Sequence, residues 1–215
     1  MGAEYRDRRA AGAVLADRLE PYAGRPETVV LGLVRGGVPV AAEVASRLRS
    51  PLDVLVIRKL GVPWAPEVAF GALGPQGVRV LNDDIAGRLE PYQIADVTHR
   101  EEVERSRREA RYRGARPPLD LAGRTAVIVD DGLATGATAR AAVVVAHRLG
   151  AERIVLAVPV GAAEACESLA AVADEIVCPI CAVDFGAVSR YYLDFHQVTD
   201  DEVDAALGDR APGRE

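Results

Sequence analysis

The sequence predicts an α/β domain built on a parallel sheet, and three observations carry that expectation. Short runs of β-branched and aliphatic residues recur along the chain, segments of helical periodicity lie between several of them, and a glycine-rich turn follows one run where the next helix would begin. Runs that are apolar throughout, rather than alternating, fit strands buried on both faces.

Taken in order, Thr28 to Val34 (TVVLGLV) reads as the first strand, and Val38, Ala41, Ala42, Ala45 and Leu48 then share one face of a helix. Asp53 to Ile57 and Val78 to Leu81 read as further buried strands. From Asn82 to Pro118 the rhythm breaks. Thr98 and Glu101 have capping-box spacing, and Glu101 with Arg105, Glu104 with Arg108 and Glu109 with Arg113 stand four apart, so a solvated helix ending near Gly114 is expected as an insertion over about 82–118. Thr125 to Val129 is the next strand. Ala141, Val144, Val145 and Leu149 mark the helix after it, with Gly150 as its stop. Ile154 to Pro159 and Glu175 to Cys178 complete the set of strands. Phe185, Tyr191, Tyr192 and Phe195 then gather aromatic side chains that either cap the core or line a pocket for a flat ring. Residues 208–215 (GDRAPGRE in full from 208) read as a frayed tail.

Composition narrows the function. An apolar share of 49% with 27% charged residues in 215 positions suits one folded domain and argues against disorder. A net charge of −6, with arginines of 100–113 interleaved among glutamates, offers no broad basic surface for nucleic acid. No run approaches the roughly 18 apolar residues of a membrane helix, and MGAEYRDRRA lacks a signal-peptide core, so a cytosolic, cytoplasmic location is expected. Cys178 and Cys181 have metal-knuckle spacing, but with only Cys166 besides and no paired spacing among His99, His147 and His196, small buried thiols are the expectation. The basic residues include a single lysine, Lys59, among arginines, which marks a position suited to a compact, mobile ammonium.

The densest motif is VIVDDGLATGAT, residues 127 to 138. A strand that ends in Asp130 and Asp131 places two acceptors beyond the carboxyl edge of a parallel sheet, where ligands bind. The turn that follows, rich in Gly and Thr and entering a helix, presents backbone N–H groups and Thr135 and Thr138 hydroxyls to an anion. A sugar phosphate satisfies both halves, with hydroxyls or a water-held magnesium ion at the carboxylates. Ala137 stands where a Walker loop needs lysine, and G-x-G-x-x-G is absent.

This stretch resembles the signature loop of the type I phosphoribosyltransferases: an apolar strand, two acidic residues, three variable positions, then Thr-Gly-x-Thr. LVRGGVPVAAEVA resembles the family's pyrophosphate loop, and VIRKLGVPWAPEVAFGAL the segment carrying its mobile catalytic loop. With LDFHQVTDDEV, the likeness covers most of residues 27 to 203 and extends to a group of members whose acceptors are undefined. The resemblance implies a parallel sheet with helices on both faces. It also implies one domain over 1–207, with a core of about 27–160 and a small hood from about 176–203 and the N-terminus. It implies magnesium-dependent transfer of the phosphoribosyl group from phosphoribosyl pyrophosphate to a nitrogenous base, by a homodimer. Asp130 and Asp131 would approach the ribose hydroxyls, and Ala134, Thr135, Gly136, Ala137 and Thr138 would hold the 5′-phosphate. Arg35, Gly36 and Gly37 would contact pyrophosphate, the glycines by close approach and unusual dihedrals, with Arg58 and Lys59 reaching it from the loop region. Phe185 or Tyr191 would stack on the acceptor. Ala134 argues against a 6-oxopurine acceptor, where that position is often acidic, and Ser189 departs from a customary glycine. A second expectation is a non-catalytic sensor of phosphoribosyl pyrophosphate or nucleotides, acting through a protein partner.

Overall fold

The computed structural model describes residues 4–208. Asp7 opens α1 (Arg8–Arg18) by accepting the Ala10 N–H at 2.8 Å. β1 (Thr28–Leu33) is buried along its length and turns directly into α2 (Gly37–Leu48), which returns the chain to β2 (Leu52–Leu55). A different unit follows: β3 (Arg58–Val62), β4 (Ala65–Leu73) and β5 (Arg79–Leu81), then the short α3 (Asp83–Ala86) and the long α4 (Pro91–Arg113). The parallel rhythm resumes with β6 (Thr125–Val129), α5 (Ala137–Arg148) and β7 (Arg153–Ala157). β8 (Val160–Ala162), α6 (Ala163–Leu169), β9 (Glu175–Val177), β10 (Ile180–Ala182) and α7 (Asp200–Gly208) complete the chain.

Five strands form one parallel sheet in the order β2-β1-β6-β7-β9. Alternate residues serve opposite faces. Val30, Val127, Val129 and Val155 pack with Leu15, Val44, Leu48 and Val203 from α1, α2 and α7. Leu31, Ile128, Ile154 and Leu156 pack with Val143, Val145 and Ala146 from α5. Helices thus cover both faces, which is why the central strands β1 and β6 read as nearly continuous apolar runs. β1 and β6 pair in register from Thr28 opposite Thr125 to Gly32 opposite Val129, so the turns after both strands emerge side by side.

Several expectations are corrected. Val78 to Leu81 is no buried parallel strand: Arg79 to Leu81 pairs antiparallel with β4 in a separate sheet ordered β3-β4-β5. Val78 and Val80 still pack against the α5 side of the main core, while Leu81 packs on the separate cluster of Leu60 and Phe70, a difference that a three-residue run does not encode. The insertion helix starts at Pro91, not Thr98. Glu90 and Gln93 form the capping box, proline suits the first turn, and the Thr98 hydroxyl is buried without a partner. Glu101 pairs with Arg58 at 2.6 Å, while Arg105 takes Glu102 and Glu109. Nor is the helix merely solvated, since Val97, Arg105, Tyr112 and Arg113 are buried. Gly208 ends α7, and the rest of the expected tail lies outside the described residues.

Arg113 explains how α4 docks. Its Nε and Nη2 reach the two Asp53 oxygens at 3.1 and 3.0 Å, and Nη2 also reaches the Pro117 carbonyl at 2.7 Å. This fork lies against β2 with little exposure on either partner. Asp53→Ala leaves the buried guanidinium with only the more distant Glu109 carboxylate, 3.8 Å away, and is expected to cost about 3 kcal/mol in urea unfolding. Arg107→Ala, which breaks an exposed pair with Glu104 on the same helix, should cost less than about 1 kcal/mol.

Candidate functional site

β6 ends by delivering Asp130 and Asp131 to the turn that follows β1. The fit between the two turns is close. A Cβ on Gly36 would lie 2.2 Å from Asp131 Oδ2, and one on Gly37 would lie 2.5 Å from the Val129 carbonyl oxygen. Gly36 has ordinary helical dihedrals, φ −57° and ψ −36°, so the expectation of unusual backbone angles there is corrected. The glycine is needed for space: the Asp131 carboxylate occupies the volume that any side chain at 36 would take.

Each carboxylate is anchored through one oxygen. The Asp131 N–H donates to Asp130 Oδ1 at 2.9 Å, whereas Arg8 Nε and Nη2 reach Asp131 Oδ2 at 2.9 and 2.8 Å. Asp130 Oδ2 and Asp131 Oδ1 accept no hydrogen bond from the described residues, yet neither is sealed from solvent. Both residues line a cavity of about 480 Å³ with Arg8, Arg35, Gly36 and Phe195. Burial, then the charge of Asp131, pushes the Asp130 carboxyl well above its usual range. Burial raises Asp131 as well, against the opposing pull of Arg8. Both carboxyls are thus disfavoured as anions by burial, and the pair gains from any ligand that supplies hydroxyl donors or positive charge.

Downstream, Leu133 is held by bonds to Val160 and Ala162 on β8, its N–H donating at 2.9 Å and its carbonyl accepting at 2.8 Å. This leaves Ala134, Thr135, Ala137 and Thr138 exposed at the start of α5. Gly136 turns the chain with φ +75°, a conformation that favours glycine, and α6 packs against it through Leu169. The N–H groups of Ala134, Thr135, Gly136 and Thr138 meet no acceptor among the described residues. They form a ready anion site at a helix start.

Not all expected residues share one cavity. Arg58 and Lys59 line a neighbouring one of about 520 Å³, together with Val34 and Thr138. Each cation is already occupied: Arg58 by Glu101, Lys59 by Glu67 with Nζ at 3.4 Å, and Arg35 by Asp200 at 3.3 Å. Phe185 is corrected as an acceptor-stacking residue. It is buried in the cluster of Tyr5, Ala11, Val160 and Tyr192, and Tyr191 stacks on it at 5.3 Å between ring centres. Phe195 instead faces the carboxylates, with the Arg8 guanidinium 4.0 Å from its ring centre. The cysteines converge around Gly161, with Cys181 exposed rather than buried as expected.

Sequence reading missed Arg8, Tyr192 and His196. The Tyr192 hydroxyl donates to the Asp131 carbonyl at 2.6 Å, and the His196 carbonyl accepts from Arg8 Nη1 at 2.9 Å. Asp7, which caps α1, is the one local signal near this arginine, and the long-range bridge of Tyr5 to Tyr192 brings it here.

Fold and site together define an α/β protein with an acidic pair and a loop of unpaired N–H groups at the carboxyl edge of a parallel sheet. The sequence matches the phosphoribosyl transferase domain family over residues 4–196, and the chain belongs to that family. It is 52% identical over 209 residues to a Mycobacterium tuberculosis protein provisionally named a phosphoribosyl transferase, covering 96% of this chain and 47% of that one. The chain thus spans about half the length of that relative. A solved Thermus thermophilus structure is 46% identical with a TM-score of 0.87, covering 97% of this chain and 99% of its own. The bifunctional protein PyrR of Chloroflexus aurantiacus is 34% identical over 128 residues, 58% of this chain and 65% of its own.

His196 offers a check on the cavity rim. Asp194 and then Glu202 hold its imidazole above the ordinary value of 6.5, through contacts of 2.8 Å each. A raised histidine keeps its ion pairs below its unfolded value and loses them as pH rises through the folded one. Its NMR titration midpoint should lie above 6.5 and fall back in an Asp194→Asn/Glu202→Gln variant.

Proposed function

We propose that this chain transfers the 5-phosphoribosyl group from phosphoribosyl pyrophosphate to a nitrogenous acceptor, with release of pyrophosphate. The observation that carries this reading is the arrangement of two carboxylates that each keep one oxygen anchored and one free over a cavity, next to a loop of unpaired N–H groups. The free oxygens suit neighbouring ribose hydroxyls, and the loop suits the 5′-phosphate.

Among the described residues no three His, Cys, Asp or Glu side chains cluster as a metal cage. Two adjacent carboxylates, both raised by burial and Asp130 further by the charge of Asp131, suit magnesium held through water and shared with a phosphorylated ligand. When bound, the ion would neutralise charge on the pyrophosphate leaving group.

The chain's own residues do the rest. Cleavage of the bond from C1′ to pyrophosphate places positive charge on the ribose and negative charge on the leaving group. Asp130 and Asp131 hold the sugar, Ala134 to Thr138 fix its phosphate end, and Arg35, Arg58 and Lys59 exchange their present carboxylates for pyrophosphate oxygens. No covalent nucleophile is needed. The acceptor attacks C1′ from the side of the hood.

Calorimetric titration with phosphoribosyl pyrophosphate and magnesium tests the reading. Saturable binding is expected, with loss of at least about tenfold in Asp130→Asn/Asp131→Asn, and a comparable loss in Gly36→Ala, whose methyl displaces the Asp131 carboxylate. No binding to the folded protein would overturn it. Binding without nucleotide formation across a panel of bases would move the conclusion to a sensor.

A further inference from the structure

We infer that Arg8 is a positioning residue for the donor sugar, holding Asp131 so that its second oxygen faces the ribose. This rests on the reading of the acidic pair given above. An arginine in the first turn of an N-terminal helix is ordinarily solvated, yet the Arg8 side chain is only 8% exposed. Its guanidinium is fixed from three directions: Nε and Nη2 on Asp131 Oδ2, Nη1 on the His196 carbonyl, and the Phe195 ring against its face.

The geometry of this pair separates it from a simple structural tie. A guanidinium that meets a carboxylate for stability alone usually forms a fork, with one N–H on each oxygen, as Arg113 does with Asp53. Arg8 spends two nitrogens on one oxygen and leaves Asp131 Oδ1 open to the cavity. Gly36 also closes on Oδ2, with room for hydrogen only, and the Tyr192 hydroxyl fixes the Asp131 main chain. The carboxylate therefore has one orientation, set before ligand arrives, so that less ordering accompanies binding. By this account the N-terminal arm serves the donor sugar as well as covering the acceptor.

The test compares ribose 5-phosphate with its 2-deoxy and 3-deoxy counterparts by calorimetry, in wild type, Arg8→Gln, Arg8→Lys, Asp131→Asn and Arg8→Gln/Asp131→Asn. Wild type should prefer the ribose form. In Arg8→Gln that preference should fall about tenfold, equivalent to about 1.4 kcal/mol, while the weaker affinity for at least one deoxy sugar stays unchanged. Arg8→Lys should recover part of it. Adding Arg8→Gln to Asp131→Asn should cost less than about twofold more, because the arginine acts through that carboxylate. Equal loss for all three sugars, or full additivity in the double variant, would overturn the inference, as would wild-type preference in Arg8→Gln. If melting shows Arg8→Gln unfolded, Arg8→Lys and its double with Asp131→Asn carry the same comparison. A wild type that binds the three sugars alike overturns the ribose reading itself, and this inference with it.

Discussion

The Asp131 carboxylate, wedged between Gly36 and the Arg8 guanidinium, is the contact on which the rest of the site depends. It joins the turns after β1 and β6 to the N-terminal helix and, through His196, Phe195 and Tyr192, to the C-terminal segment. Parallel pairing of β1 with β6 makes this possible. In-register strands bring their C-terminal turns out together, and only a residue without a side chain lets the two turns come as close as they do. Arg8 then supplies the charge that a crowded carboxylate would otherwise lack.

Placing two acids side by side at the end of a buried strand has an electrostatic cost. Burial raises both carboxyls, and Asp130 has no cation as close as Arg8 is to Asp131. Such an arrangement is poor as a stabilising device, since apolar residues at the end of β6 would pack without that penalty. Hydroxyl donors, or a cation shared with a ligand, relieve it. On the proposed reading, the electrostatic cost of the acidic pair and an affinity for a polyhydroxylated anion would be two views of one property.

Much of this was legible in the sequence, for reasons that differ by element. β1, β6 and β7 are buried on both sides, so their apolar runs name them nearly to the residue, and the Asp-Asp and Thr-Gly positions follow from the end of β6. The β3-β4-β5 sheet was hidden because Arg58, Lys59, Pro63 and Pro66 break any alternation and because Gly61 sits at shifts in the register. Arg8 carries no motif. Its role arises only when Tyr5 bridges Tyr192, a contact across most of the chain that no local pattern records. Phe185 and Phe195 are indistinguishable by composition, and packing alone turns the first into core and the second toward the carboxylates. For Arg58, helical spacing gave Glu101 the wrong partner, because a side chain on α4 can reach β3 as readily as its own next turn.

That last pair belongs to a wider pattern. Arg35, Arg58 and Lys59, the three cations suited to pyrophosphate, each rest on a carboxylate from another element: Asp200 on α7, Glu101 on α4 and Glu67 on β4. Partly exposed pairs of this kind contribute little, on the order of 1 kcal/mol or less apiece, so exchange for a doubly or triply charged phosphate group is favourable. The Arg8 pair differs in kind. It is nearly sealed from water, its partner is one of the proposed ribose acceptors, and its guanidinium has a carbonyl and a ring to hold it. In the proposed reaction exchangeable pairs would surround the leaving group while a fixed pair holds the sugar, a division that matches what such a transfer asks: the ribose must stay as the pyrophosphate departs.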